Sequence, residues 1–438
     1  MTQDEPQEPM AKSRGVWEVL RVYPDFRRLY FARLISQFGD WFNLLAIFML
    51  LGESNGDIQR AMPLAFVLVL KIFPNFLLGP IAGVLADRLD RRKIQIVCNI
   101  LAAVVVLGFL PAGGAGVVLW IYILTLLQVS ISAFYEPARQ AILPNLVAKE
   151  DLLTANALYS VTWSAMFALG SMAGGLTLAF FGWEVAIVID AASYLVAALI
   201  LLRIQYREKP IRHPREGKGG WKRLTGIEDM IEGLRYIRSE TPVFQVILAK
   251  FGWGSMGAIT LFLTLFGQRD IYHIAGEGED AVVLGTSYLW FCRAVGTGIG
   301  PLLARAFAGE DDHKLRLTIS LGFFLALLLY VLLPFAPNAW IGGAMVLVAH
   351  IGGSAIWVIC TVLLMKTVPD RFRGRTFAAE LGLVMLASSM SNLVYAFLLD
   401  YTGLSLHQVL WIACAVCLIP ALNWSLRARH ITTQPQAS

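Results

Sequence analysis

Gly83-Val84-Leu85-Ala86-Asp87-Arg88-Leu89-Asp90-Arg91-Arg92-Lys93 decides the fold of this chain. Its last seven positions crowd four basic and two acidic residues between two long apolar stretches, 61–85 and 93–112. A soluble enzyme rarely separates runs of that kind with such a cluster. A fainter copy follows 221 positions later: Gly79-Pro80 opens the first stretch and Lys93 closes it, while Gly300-Pro301 opens the second and Lys314 closes it. Repetition at half the length of a 438-residue chain suggests two related membrane bundles. The echo is inexact, because Glu310, Asp311 and Asp312 stand where Leu89, Asp90 and Arg91 do.

Composition agrees. The chain is 57% hydrophobic and 15% charged, against about 25% charged in soluble domains, and its mean hydropathy is +0.63. Met1 to Gly15 is polar and lacks the apolar core of a cleaved signal peptide. All five cysteines lie in apolar stretches. Cys414-x-x-Cys417 has redox spacing but no βαβ context, so it reads as packing. No Walker-type phosphate loop, clustered metal ligands or nucleophile elbow occurs. An enzyme, a metal and a cofactor are therefore not expected. The formal charge of +5 needs no nucleic-acid partner, because topology accounts for it.

A helix needs about 20 apolar residues to cross a bilayer. Twelve such runs predict an all-α membrane protein: 30–51, 61–85, 93–112, 117–136, 156–181, 184–203, 243–268, 281–306, 316–336, 340–365, 377–399 and 408–426. Of the 36 Lys and Arg residues, 30 fall on one side, Arg60 and Arg269 on the other, and four (Arg33, Lys71, Lys250, Arg293) inside spans. The positive-inside rule makes the rich side cytoplasmic, with both termini. The expected organisation is a segment 1–29, a six-helix bundle 30–203, a linker 204–240, a second bundle 243–426 and a tail 427–438. In the linker, Leu224, Ile227, Ile231, Leu234 and Ile237 keep helical spacing and predict an amphipathic surface helix beside a flexible, basic 210–221. A solvated tether and a regulatory or lipid-sensing element are both open readings.

A charge at the bilayer centre costs about 2.5–3.5 kcal/mol on insertion scales, so each needs a reason. Arg33, Ser36, Gln37, Asp40 and Asn43 share one face of span 1; Lys71, Asn75, Gly79 and Gly83 repeat every four residues in span 2. Steps of three and four likewise place Trp290, Arg293, Thr297 and Gly300 on one face of span 8, His350, Ser354, Trp357 and Thr361 on one face of span 10, and Ser388, Asn392 and Tyr395 on one face of span 11. Spans 3, 9 and 12 carry no charge in their apolar cores. A water-accessible central cavity lined by the polar faces is the simplest geometry. Arg33, Gln37, Asp40, Lys71, Arg293, His350, Trp357 and Asn392 are the candidate substrate or coupling residues. Asp40 is either protonatable or the fixed partner of Lys71 or Arg293. Arg293 is either a substrate contact or an interhelical partner. Lys71 leans structural, Arg33 and Lys250 can snorkel from near the cytoplasmic ends, His350 suits hydrogen-bonded packing, and Asp190 belongs to a span expected to be peripheral.

The turn also carries a motif. Gly83, Asp87, Arg88, Arg91 and Arg92 match G-x-x-x-D-R-x-G-R-R of the major facilitator superfamily, with Asp90 in place of the usual glycine. Phe38-Gly39-Asp40-Trp41, Glu136 to Pro144, Asp151 to Leu158, Asp190 to Leu195 and Val368 to Arg375 resemble the branch containing macrolide-efflux and enterobactin-export proteins, with lysophospholipid flippases similar in the first two regions. The resemblance covers roughly 20–425. It implies two bundles rocking about a central site. It also implies a cytoplasmic gate built from the turn residues Gly83, Asp87, Arg88, Asp90, Arg91 and Arg92, in which Asp87 faces the start of span 11 near Thr376 and Phe377; Glu136 and Arg139 hold an equivalent gate position below span 4, and Arg371, Arg373 and Arg375 supply counter-charges on the other bundle. Gly170-Ser171-Met172-Ala173-Gly174-Gly175 lacks the proline of the drug-exporter motif, so close helix packing is its plain reading.

The implied function is export of an amphipathic small molecule across a bacterial inner membrane by a monomer, in exchange for protons. Proton coupling here comes from the family. Trp41, Trp163, Trp290 and Trp357 suit a partly apolar substrate, or packing. A lysophospholipid flippase is the second transport reading, and a non-transporting sensor or scaffold is the rival from another class.

Overall fold

The computed structural model describes residues 14–55, 60–112, 116–206, 227–276 and 278–427. Each long apolar run is a helix, since a bilayer offers backbone groups no water and a helix satisfies them within one segment. Among the described residues, ten helical stretches are long and apolar enough to cross a membrane. Leu152–Leu202 among them holds two spans, because Gly182 breaks it with φ 82° and ψ 170°. Arg91–Leu107, at 17 residues, completes twelve.

Span 1 is Pro24–Asn55. Span 2 comes in two pieces, Ala61–Leu70 and Phe73–Arg88, the second restarting around Pro74. Span 3 is Arg91–Leu107 and span 4 Val117–Leu146; spans 5 and 6 share Leu152–Leu202. An amphipathic helix, Ile227–Ser239, precedes span 7, itself divided into Thr241–Gly254 and Ile259–Gly267. Spans 8 to 12 are Gly278–Ala308, Asp312–Leu332, Ala339–Thr367, Asp370–Tyr401 and Leu406–Arg427. The break in span 7 is stabilised from span 11. The Ala258 N–H donates to the Ser391 hydroxyl at 3.1 Å, and a Cβ on Gly257 would stand 2.6 Å from Ser388.

The two halves meet along spans 5 and 8 and along spans 2 and 11. Glycines in span 5 permit the approach. Gly170 lies against Trp41, Gly174 against Phe42 and Leu45, and a Cβ on Gly175 would stand 2.0 Å from the Ser287 hydroxyl of span 8. Beside them Trp41 stacks on Phe167 at 4.1 Å, and Trp290, fully buried, meets Trp41, Phe48 and Phe167 edge-on. This aromatic cluster joins spans 1, 5 and 8.

Span 2 shows which side is open. Call the side of residues 86–93, 305–316 and 366–376 the basic face and the other the far face. In the far half of span 2, Ala61, Leu64, Ala65 and Leu68 are buried, and span 11 packs along this piece. In the basic half, Phe73, Leu77 and Ile81 are exposed on one side. Asn75 is exposed on the opposite side, and nothing lies within 4 Å of where a Cβ on Gly79 or Gly83 would be. A helix free on two opposite faces borders lipid with one and a cleft with the other. Among the described residues, the molecule is closed at the far face and open at the basic face.

Candidate functional site

The far-face closure has a polar clasp. Arg60, which precedes the first helical residue of span 2, makes no capping bond with its side chain. Asp400, at the end of span 11, does the capping instead: its two carboxylate oxygens accept the backbone N–H groups of Ala61 and Met62, each at 2.8 Å. The first N–H groups of a helix lack intrahelical acceptors and carry partial positive charge, so a carboxylate suits them. This contact bridges the two halves.

In the first half, the polar face of span 1 meets span 4. Arg33 lies 3.8 Å from Asp40 and 4.0 Å from Glu136. Glu136 is paired with Arg139 (Nε to carboxylate 3.0 and 3.1 Å) and accepts from Gln140 at 3.3 Å. Arg33 sits over the Tyr135 ring at 5.6 Å and Arg139 over the Tyr159 ring at 4.3 Å. The Tyr194 hydroxyl of span 6 donates to Asp40. The side chains of Asp40 and Glu136 are 33% and 35% exposed, enough for water to reach both. A polar cavity lined by Arg33, Ser36, Asn99, Gln128, Tyr135 and Tyr194 adjoins them, with room for about one water.

Several expectations change. Asp40 pairs with Arg33, two turns earlier on its own helix, and the Lys71 ammonium lies within electrostatic reach of Asp40 and Asp190, whereas Arg293 does not pair with it among the described residues. Arg33 therefore does not snorkel. Among the described residues, Glu136 is satisfied within its own half, by Arg139 and Arg33. Asp190 is fully buried and near this cluster: its carboxylate would touch a Cβ on Gly39 at 2.6 Å, and neither oxygen has a hydrogen-bond partner. Span 6 is thus part of the site's wall, a placement invisible to hydropathy. Lys71 caps the first piece of span 2. Gln37 is buried with its amide nitrogen unpartnered.

The second half holds a different constellation. Lys250 of span 7 and Glu380 of span 11 are both 3% exposed and lie 2.5 Å apart. The ammonium also donates to the Thr361 hydroxyl at 2.9 Å and sits 4.2 Å from the Trp357 ring of span 10. Lys250 is thus a buried partner and does not snorkel. Arg293 donates to the Thr260 hydroxyl and lies 5.6 Å over the Phe167 ring, so it joins the aromatic cluster. No carboxylate among the described residues pairs with it. His350 shares a 3.1 Å hydrogen bond with Tyr330 and meets Trp253 edge-on. Asn392 donates to the Ser388 carbonyl at 2.8 Å.

At the basic turn, the side chains of Asp87 and Arg371 lie outside the described residues. Arg88 is exposed. Arg91 donates to the carbonyls of Ala86 and, in span 4, Ala141 at 3.0 and 3.1 Å; Arg92 donates to Leu201 at 2.9 Å and to Leu202 at the end of span 6. The turn thereby ties spans 3, 4 and 6 together. Arg373 donates to Met365 and Val368 carbonyls, and Arg375 pairs with Glu232 of the amphipathic helix at 2.6 Å. Tyr236 of that helix stacks on Phe372 at 4.5 Å, docking it on the start of span 11.

Two halves of six helices, joined on one face and parted on the other around polar and aromatic walls, are the architecture of a membrane transporter. The family model described as Major Facilitator Superfamily matches residues 29–391, and the chain belongs to that family. It is 27% identical over 417 residues, 89% of its length and 95% of the relative's, to a Bacillus amyloliquefaciens protein named as a candidate bacilysin exporter, BacE. Macrolide efflux protein A of Streptococcus pyogenes is 25% identical, over 86% of this chain and 91% of the relative. Among solved structures, a POT family transporter in complex with 5-aminolevulinic acid superposes with TM-score 0.73 at 12% identity, covering 93% of this chain and 97% of the other. The chain is accordingly a multi-pass membrane transporter of small molecules and not an enzyme.

Proposed function

We propose that this protein exports an amphipathic small molecule across the bacterial inner membrane, as a monomer, in exchange for protons. The basic face is then cytoplasmic, with both termini on that side, and the two bundles are 30–203 and 243–426. The observation that carries the reading is the asymmetry of span 2, packed on span 11 and clasped by Asp400 at the far face but free along Asn75, Gly79 and Gly83 at the basic face. That is the loading state of an exporter, open to the compartment from which substrate leaves. The exposed indoles of Trp163 and Trp357 suit an apolar portion of the substrate. The relatives named for export of bacilysin and efflux of macrolides support the direction.

For coupling, the group we assign is Asp40, hydrogen-bonded by Tyr194, paired with Arg33 and open to water. A proton on Asp40 releases Arg33 to Glu136 alone and so changes the packing of span 1 on span 4. Reconstitution into liposomes with an imposed pH gradient tests the whole reading. Dyes, macrolides, siderophores and lysophospholipids are screened. Accumulation that follows the gradient supports proton exchange, and movement of every accepted compound independent of it refutes that part. Selective movement of lysophospholipid between leaflets would replace export by flipping.

A further inference from the structure

The Lys250 ammonium is held as a receptor would hold a foreign alkylammonium. One carboxylate lies at 2.5 Å, one hydroxyl at 2.9 Å, and one indole face at 4.2 Å. Carboxylate plus aromatic face is the general chemistry of ammonium recognition. The three elements reach the same depth. Lys250 lies nine residues into span 7 and Glu380 ten into span 11, while Trp357 lies ten from the end of span 10. At 1.5 Å per residue all three are about 15 Å from the basic ends, near the middle of a bilayer.

Access comes past Trp357. Its 38% exposure is on the wrong side for lipid. The outward stripe of span 10 includes Ile341 and Val348, both exposed; Trp357 is nine residues beyond Val348, about 180° around the helix. It therefore borders the open cleft, with the Lys250 ammonium against its ring.

We propose that Glu380, Thr361 and Trp357 form the binding site for the ammonium group of an amine-bearing substrate, and that Lys250 occupies this site as a tethered surrogate when no substrate is present. The inference rests on the exporter reading and names its substrate class. Exchange keeps the buried carboxylate compensated throughout: one ammonium leaves as another enters, and no unpaired charge is stranded in the bundle. Lys250 has the reach to leave, because its charge is carried on a flexible four-carbon stem. A permanently fixed structural pair is the competing account, and it predicts no selectivity between charged and neutral ligands.

The test uses monodansylcadaverine, an amphipathic primary amine, and its neutral N-acetyl derivative, with binding to purified full-length protein read by dansyl anisotropy. Lys250→Met vacates the site. It is expected to bind the amine roughly tenfold more tightly than wild type, or better, with the acetylated probe unchanged. Glu380→Gln is expected to lose roughly tenfold for the amine alone. The double variant Lys250→Met/Glu380→Gln leaves no buried charge and guards against misfolding of the singles. It should bind the acetylated probe as wild type does and show no preference for the amine. Parallel changes for both probes, or no binding of the amine by Lys250→Met, overturn the ammonium site. The exporter reading is judged separately, by whether wild-type liposomes move the acetylated probe along an imposed gradient.

Discussion

Asp400→Ala should release the far face. The carboxylate accepts two N–H groups that span 2 cannot satisfy itself, each at 2.8 Å, and it does so from the other half of the molecule. Loss of a helix N-cap to alanine costs about 1 kcal/mol and up to about 2. Those bonds exist only while the far face is closed, so the whole cost falls on that state. A change of one to two kcal/mol shifts a two-state ratio by roughly 5–30-fold. The far-face-open state should become more populated by that factor. Thr264→Cys reports it, because Thr264 is 4% exposed and lines a far-face cavity with Leu45, Phe48, Met49 and Val283. All five native cysteines are buried, so background labelling is low. In detergent, the reaction of Thr264→Cys with a polar maleimide should accelerate roughly 5–30-fold when Asp400→Ala is added. Asp400→Asn, which keeps one acceptor oxygen, should fall between. A cysteine at Asn75, already exposed in the open cleft, should change less than about twofold. An unchanged rate at Thr264→Cys, or an equal rise at both positions, refutes the clasp.

Other consequences can be checked with the same preparations. Asp40→Asn should abolish accumulation against a gradient while leaving downhill counterflow intact; retained uphill transport would clear Asp40 of coupling. Gly175→Ala places a methyl 2.0 Å from the Ser287 hydroxyl. At an overpacking cost of about 1–3 kcal/mol, it should speed Thr264→Cys labelling as Asp400→Ala does. Gly83→Leu meets nothing in the present state, so its folding and far-face labelling should be normal. If span 11 packs on the Gly79–Gly83 stripe when the basic face closes, transport should be lost, and normal turnover would show that the stripe is not the closing surface.

Periodicity and charge bias determined the spans because both are local quantities. Partner choice is not local. Arg33 and Asp40, seven apart, were legible as sharing one helix face but not as partners, and the Lys250–Glu380 pair joins positions 130 apart in the sequence. Glu380 left a sign in the sequence, as an acid inside an apolar span, and such an acid needs a partner. Asp400 left less, standing just past the apolar run of span 11, where a charge is ordinarily solvated. Asp190 could not be placed because hydropathy says nothing of which side of span 6 faces span 1. Its contact with Gly39 depends on a glycine that lets the two helices close up.

The departure at Asp90 has a physical account, and the second half repeats it. A glycine at that turn would be needed if φ were positive, but Asp90 has φ −60° and ψ 109°, open to any residue. Its carboxylate instead accepts the Lys93 N–H at 3.0 Å and caps span 3. Asp311, 221 positions on, caps span 9 by accepting from His313 at 2.8 Å and Lys314 at 3.0 Å. The neighbouring position differs in sign between the halves. Arg91 reaches from span 3 to the Ala141 carbonyl of span 4, whereas Asp312 receives Lys366 of span 10 at 2.9 Å. The same pair of helices is stapled in each half, with donor and acceptor exchanged, so opposite charges perform one task. Asp90→Ala should then cost about 1 kcal/mol of stability and Asp90→Gly only a few tenths. Asp311→Ala should likewise lower the melting temperature. The Lys314 N–H holds the Asp311 carboxyl below the ordinary carboxylate range. A carboxyl depressed in the folded state contributes stability above its unfolded value and loses it as pH falls through the folded one. The penalty of Asp311→Ala should therefore be full at neutral pH and vanish in strong acid. A penalty independent of pH, or an Asp90→Gly variant as unstable as Asp90→Ala, would show that the carboxylates are not acting as caps.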